Sequence, residues 1–308
     1  MNRRLPTISF QRALLAATLF LPGVSEVKAL SAEKLTVSDI RQALGQAASR
    51  AAEYAGNPIQ TNGVIAIADR EGYICAVWSM NPRPDRSSFK FGAALRNAIG
   101  KAGTASFLSS SQHAFSSRTA GFIVQPNFPP GVENKPPGPL VGVNFSNFQF
   151  SDVNRFKHPA GFVPGVTNGI NGGTVPIPFT GGLAGANGGL PLYKNGELVG
   201  GIGVAGDEEA GAPLPDGSVT IQLGNSRVPV ADAITGFPYL YEFAISPALV
   251  RASDVDEEIA LAGQLGFAPS PRFFGSQVFV AGISLAYAES PVRPAFNVQP
   301  LGPSLGAE

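Results

Sequence analysis

Residues 188–207 read GGLPLYKNGELVGGIGVAGD, and the Asn195-Gly196 pair inside them constrains the chain more than any other feature. Asn-Gly accepts the two consecutive positive φ angles of a type I′ turn, and the apolar runs on either side, Pro191-Leu192-Tyr193 and Leu198-Val199-Gly200, supply strands for that turn to join. The segment therefore predicts a β-hairpin. It also contains Gly201-Ile202-Gly203-Val204-Ala205-Gly206, which satisfies the letters of the dinucleotide-binding G-x-G-x-x-G. That fingerprint holds a pyrophosphate only where a helix starts at the glycines, because the helix N-terminus supplies the positive pole. Here DEEAGAPLPDGS follows, and Pro213 and Pro215 stand where a helix would have to propagate. The glycines instead belong to the returning strand. Gly201 and Gly203 share one face of it, where their missing side chains let a helix or a neighbouring subunit come close.

Other elements follow from periodicity and caps. Thr36-Val37-Ser38-Asp39 has the form of a capping box, and Ile40, Leu44, Ala47, Ala51 and Ala55 recur at helical spacing until Gly56. Val64 to Ala68 and Tyr73 to Met80 are rich in strand formers, joined by Asp69-Arg70-Glu71-Gly72, and should pair antiparallel. A helix is expected over Ser88 to Leu108, a second helical segment over His113 to Val124, and a third from the cap Ser253-Asp254-Val255-Asp256 to Leu265, with Gly266 as its stop. A short strand is expected at Ser218 to Leu223 and a last one at Gln277 to Ala286. Long Gly/Pro-rich passages at about 126–187 and 207–252 read as insertions. Cys75, the only cysteine, excludes an intrachain disulfide and any Cys-built cluster, and its place in a strand pattern suggests a buried, inert thiol.

The N-terminus carries Arg3, Arg4 and Arg12 ahead of the apolar run ALLAATLFLPGV, then Val27-Lys28-Ala29, which resembles a small-residue cleavage site. The expectation is a signal peptide over residues 1–29, since the apolar run is too short for the roughly 20 residues that span a bilayer. Its removal takes away Arg3, Arg4, Arg12 and Lys28 but only Glu26, turning 22 basic and 22 acidic residues into 18 and 21. A chain that is slightly acidic, with no basic stripe, is expected to bind neither nucleic acid nor an anionic membrane surface. The remaining residues, 30–308, are read as one domain.

Five blocks, in this order, resemble the GlcG/HbpS-like heme-binding domain family: the Ala-rich first helix, the strand pair around IAIADREGYICAVWSM, the helix carrying Lys101-Ala102-Gly103-Thr104-Ala105, the hairpin GGLPLYKNGELVGGIGVAGD, and the helix DEEIALAGQLG. The resemblance covers about half of residues 30–308. It implies an α+β fold, a small antiparallel sheet with helices packed on it, assembled into homo-oligomers, with heme or a related tetrapyrrole bound by some members. Lys101, Thr104 and the glycines at 188, 189, 200, 201, 203 and 206 match the family pattern as positions. The insertions and a C-terminal extension depart from it, so this chain looks like an enlarged, exported variant.

Only His113 and His158 could offer imidazole to a heme iron, the commonest nitrogen ligand. His113 is the preferred candidate, because it falls between the Lys101/Thr104 helix and Arg118, among Phe107, Phe115 and Phe122; His158 lies in a Pro-flanked, loop-rich stretch that costs more to order. Arg118 could pair with a propionate or substrate carboxylate, or make a surface or structural ion pair, and Lys101 could stabilise an anion or point to solvent. Gly188 and Gly189 complete the candidate cofactor-binding set. Phe145, Phe148 and Phe150 could wall a flat ligand or form a core strand, and Asp152, Arg155 and His158 could support acid/base chemistry. Two function classes follow: an exported heme-binding or heme-handling protein, and a module or enzyme of the same fold that takes a small organic acid through Arg118 and Lys101.

Overall fold

Thr36 opens the first helix as the sequence anticipates. Its hydroxyl accepts from the Asp39 amide and the Asp39 carboxylate accepts from the Thr36 amide, so two otherwise unpaired donors of the first turn are satisfied reciprocally. The computed structural model describes residues 33–85, 89–125, 127–130, 132, 134–141, 184–207, 210–213, 219–223, 226–230, 253–299 and 301, all within the unit Glu33–Glu308. The expected signal peptide, Phe145, Phe148, Phe150, Asp152, Arg155 and His158 lie outside the described residues.

Helix α1 (Val37–Ala52) and the one-turn α2 (Ile59–Asn62) precede strands β1 (Val64–Asp69) and β2 (Ile74–Ser79). Helices α3 (Phe89–Leu108) and α4 (Ser117–Ile123) lead to the hairpin of β3 (Gly189–Lys194) and β4 (Glu197–Ala205). Asn195 and Gly196 both take positive φ, 51° and 82°, as the type I′ turn requires. The four strands form one antiparallel sheet in the order β2-β1-β4-β3. Helix α5 (Val255–Gly263) follows, with Asp254 as its N-cap and Gly266 at φ 86° beyond its end. The fold is therefore α+β, helices on an antiparallel sheet. Within the second insertion β5 (Ala210–Pro213), β6 (Val219–Leu223) and β7 (Ser226–Val230) form a separate three-stranded sheet, of which only the middle strand is legible in the sequence.

The two faces of the main sheet are built differently. On one, Ile65, Ile67, Leu190, Ile202 and Val204 pack with Ala43, Leu44, Ala47 and Ala51 of α1 and Ile259 and Ala260 of α5. On the other, Ala66 and Ala68 stand in register with Gly203 and Gly201, and α3 lies on this flat strip with Ala98 and Ala102 facing it. A Cβ added to Gly203 would overlap the carbonyl oxygen of Ala98, one on Gly201 that of Ala102, and one on Gly189 that of Lys101. The glycines are thus the seat of a helix, and no helix begins at them.

Three expectations need correction. The helical segment expected over His113 to Val124 is confined to Ser117–Ile123, because the hydroxyls of Ser116 and Thr119 form a capping box that starts the helix there and leaves His113 in the preceding loop. The last strand is a small hairpin, β8 (Phe279–Val280) and β9 (Ile283–Ser284), because Ala281 and Gly282 adopt φ of 50° and 78° and reverse the chain between them. Cys75 is exposed rather than buried: it is the extra residue of a bulge between Ile67 and Ala68 of β1 and their partners Ala76 and Ile74, on a strand at the sheet's edge. Its sulfur is partly withdrawn against the Tyr73 carbonyl, and this withdrawal, followed by the charge of Asp69, pushes the thiol up to about 11.

Replacing Gly203 by Val forces α3 off the sheet. We expect a loss of about 3 kcal/mol in urea unfolding, at the upper end of overpacking penalties. A Gly203→Val protein as stable as the wild type would show that α3 does not rest on this strip.

Candidate functional site

The first turn of α5 carries Asp256, Glu257 and Glu258 in succession, all buried, at the end of the helix whose dipole favours negative charge. Each carboxylate faces a cation from a different helix. Asp256 Oδ2 lies 2.9 Å from Lys101 Nζ of α3. Glu257 takes Arg118 of α4 in two parallel bonds, Nε to Oε1 at 2.7 Å and Nη2 to Oε2 at 2.8 Å. Glu258 Oε2 lies 3.1 Å from Arg50 Nη2 of α1. Lys101 and Arg118 are each only 1% exposed. Charges so deep persist only when paired and hydrogen-bonded, and here further bonds complete the pairing: Lys101 Nζ donates to the Val204 carbonyl at 2.9 Å, and Glu257 Oε2 accepts from the amides of Ser290 at 2.9 Å and Glu289 at 3.1 Å.

Thr104, Gly188 and Gly189 join the same seam between α3, β3 and α5. The Thr104 hydroxyl donates to Gly100 O at 2.7 Å, one turn back, and accepts from the Ala184 amide at 2.7 Å. The Gly189 amide donates to Ser117 Oγ at 2.8 Å. Gly188 has φ 106° and lies so close to Val204 O and to Asp256 Cβ that a side chain there would meet both. The structure thus brings Lys101, Arg118 and Gly188 to the Asp256/Glu257 turn, with Gly189 against Lys101 and Ser117 and with Thr104 on α3 bonded to Ala184. The bonds that define this seam run between protein groups. Asn187, buried and next to Gly188 in sequence, leaves its Oδ1 without a hydrogen-bond partner among the described residues.

His113 lies elsewhere in character. It is exposed, on the loop from Ser109 to Ser116, and its ring stacks on Phe115 at 6.1 Å and 9° between planes. The loop itself is tightly held. Ser109 Oγ bridges the amide and carbonyl of Phe115, and the Ser110 amide donates to His113 O at 2.7 Å. The Tyr193 hydroxyl donates to Ser110 O and His113 O at 2.6 and 3.0 Å, and Ala114 exchanges bonds with Phe273 and Gly275 at 2.6 and 2.8 Å. Burial raises the Tyr193 phenol, which keeps it a donor. Neither imidazole nitrogen of His113 has a hydrogen-bond partner among the described residues. Phe107, 43% exposed, stands at the end of α3 that feeds this loop, whereas Phe122 packs inward, edge-on to Phe128.

The third cluster, Arg50, Tyr54 and Glu258, is electrostatically coupled. Burial, and then the charge of Glu258, pushes Tyr54 up to about 12. For Glu258 burial acts upward, but hydrogen bonds from Tyr54, Arg50 and Ser253 outweigh it and hold the carboxyl below its ordinary value. Burial raises the Asp254 carboxyl, the attraction of Lys101 opposing it and the charge of Glu257 adding to it. The roles of Asp256, Glu257, Glu258 and Arg50 are missed by sequence reasoning. Their signal is the unbroken acidic run Asp256-Glu257-Glu258 in a helix otherwise made of Val, Ile, Ala, Leu and Gly, where one solvent-facing carboxylate would have sufficed as a cap.

No protein-family profile and no curated protein matches the sequence. Among solved structures the chain is similar to a PduOC–heme complex, with 20% identity over 56% of this chain and 83% of that one at a TM-score of 0.33. It is similar also to the Klebsiella pneumoniae protein ORFY of the DUF336 family, with 16% identity over 74% and 97% and a TM-score of 0.33. A double mutant of Streptomyces reticuli HbpS shows 16% identity over 85% and 99%, with a TM-score of 0.32. No residue role is carried over from these likenesses.

Breaking one buried pair leaves its partner charged and unpaired. Glu257→Gln and Arg118→Met are each expected to cost about 3–5 kcal/mol in denaturant unfolding, and the double replacement by apolar residues markedly less than the sum of the two. The lowered Glu258 carboxyl contributes stability that is present above its unfolded value near 4.5 and is lost as pH falls through the lower folded value. Unfolding midpoints measured from pH 6 to pH 3 should therefore fall less steeply in Glu258→Gln than in the wild type.

Proposed function

We propose that the protein is exported and binds heme, or a related tetrapyrrole, with His113 as the iron ligand. The observation that carries this reading is an exposed imidazole, with neither nitrogen hydrogen-bonded among the described residues, on a loop whose backbone is fixed by Tyr193, Ser109, Phe273 and Gly275. A ligand held by a rigid loop loses little entropy on binding, and Phe115 and the exposed Phe107 offer apolar surface on the same stretch of chain. Bound there, heme would supply the redox-active iron; the chain's own contribution is to orient one imidazole and to cover part of a flat apolar ring. The ordered resemblance of five sequence blocks to a heme-binding domain family supports the same reading, and the heme in the PduOC complex agrees with it in chemistry only.

The alternative, capture of a small organic acid by Arg118 and Lys101, would require the ligand to displace Glu257 and Asp256 from buried ion pairs. Removing either carboxylate from its cation without an equal replacement is strongly unfavourable. The two cations are better read as framework, and propionates, if held at all, are held elsewhere.

Hemin titrated into the purified protein should give a saturable Soret band. His113→Ala should shift that band and weaken affinity at least about tenfold, the consequence of losing an axial nitrogen, while its thermal unfolding stays unchanged because the ring is exposed. An identical titration of wild type and variant would remove His113 as ligand; no saturable binding by either would remove heme. Export is checked separately: intact-mass analysis of material from outside the cytoplasm should find Leu30 as the first residue, and recovery of Met1 there would contradict cleavage after Ala29.

A further inference from the structure

We propose that Arg272 is the anion partner of the ligand bound at His113, its guanidinium taking a propionate carboxylate of the tetrapyrrole. This role rests on the heme reading and adds to it the group that recognises the ligand's charge, a part that Arg118 and Lys101 are kept from by their buried carboxylates.

The segment that follows α5 is bonded directly to the His113 loop. The Ala114 amide, whose peptide group begins at His113, donates to Phe273 O at 2.6 Å, and the Gly275 amide donates back to Ala114 O at 2.8 Å. An isolated parallel bridge joins Ala114 to Phe274. Because one hydrogen bond links that peptide to the carbonyl of the residue after Arg272, covalent geometry holds the Cα of Arg272 within about 11 Å of that of His113. Phe115 fills the seam between the two segments. Its ring stacks on His113, and its Cδ1 is so close to Gly275 that a Cβ added there would stand 3.1 Å from it. An apolar ring thus lies between the imidazole and the segment that carries the cation.

Arg272 stands on fixed backbone and has nothing of this chain to pair with. Pro271 opens the 3-10 turn Pro271–Phe273, the Phe273 amide donates to Ser270 O at 2.8 Å, and the rings of Phe273 and Phe274 rest against Tyr193 and Tyr287 with centroids 6.2 and 4.6 Å apart. Between these anchors Arg272 is exposed, with no hydrogen-bond or ion-pair partner among the described residues. It is the only charged residue between Glu258 and Glu289, and between Lys101 and Arg118 the sole ionisable side chain is His113. Neither segment therefore brings a carboxylate to neutralise it. Lys194, next to Tyr193, is already taken by Asp39 at 2.9 Å. A guanidinium is permanently charged, and its fork matches a carboxylate in two parallel bonds. A ligand with an apolar face for Phe115 and a carboxylate at its rim uses both groups; a neutral flat ring would leave the cation idle.

Hemin titrated into the wild type, Arg272→Gln and Arg272→Lys, and then hemin whose propionates are methyl esters, tests this role. Arg272→Gln should raise the hemin dissociation constant about fivefold, the upper range for an exposed ion pair. Its Soret band should stay where the wild type has it, because the iron ligand is untouched, and its thermal unfolding should be unchanged. The diester should bind the wild type and Arg272→Gln equally. Arg272→Lys should recover part of the affinity, keeping the charge and losing the fork, and added KCl should weaken hemin binding more in the wild type than in Arg272→Gln. An Arg272→Gln protein that binds hemin as tightly as the wild type, or that loses as much affinity for the diester as for hemin, would overturn the proposal and leave the heme reading standing. No saturable hemin binding by the wild type would overturn both.

Discussion

The architecture turns on one helical turn with three consecutive carboxylates. Asp256, Glu257 and Glu258 leave α5 in three directions, because successive residues are rotated by about 100° around a helix, and each ends on a cation from a different helix: Lys101 of α3, Arg118 of α4 and Arg50 of α1. The sheet and the helices laid on it bury the apolar core, yet surface of that kind fixes position loosely, since apolar contact has no direction. The ion pairs do have direction. The paired bonds of Arg118 fix the rotation of α4 relative to α5, and Lys101, reaching Asp256 and the Val204 carbonyl together, ties α3 on one face of the sheet to α5 on the other. That bond passes where the sheet is thinnest, beside glycines at 188, 189 and 203.

This arrangement explains why the glycines and the charges belong together. A lysine can reach past a sheet only if the helix bearing it rests directly on the strands, and α3 does so because Gly201 and Gly203 leave room for the carbonyls of Ala102 and Ala98. A side chain on either glycine would lift α3 and draw Lys101 Nζ away from Asp256. The glycine strip and the acidic turn, far apart in sequence, are therefore two halves of one requirement, and the letters G-x-G-x-x-G arise here from helix packing with no phosphate involved.

The sequence was informative where physics is local. Thr36 and Asp39 cap α1, Asn195-Gly196 turns the hairpin, and strand formers joined by the short turn Asp69-Arg70-Glu71-Gly72 predict the pairing of β1 and β2, all of them properties of a few adjacent residues. It failed where a competing local bond decides. Ser116 and Thr119 take the helix start that periodicity would give to His113, and Ala281-Gly282 fold a strand-like run into a hairpin. It also left the destinations of Lys101 and Arg118 open. Helical periodicity gives the face a residue occupies but not what lies across from it, and the acidic partners come from a segment 155 and 139 residues later. The burial expected of Cys75 failed for a related reason: strand formers mark a strand without telling which strand will be last in the sheet.

The internal use of Lys101 and Arg118 narrows what is left to act on other molecules. A cation bonded to a buried carboxylate contributes to the framework, and its attraction for an outside anion is largely cancelled at close range. The groups still open to a ligand are those whose backbone is fixed while the side chain is not. His113 fits that description on the loop held by Tyr193.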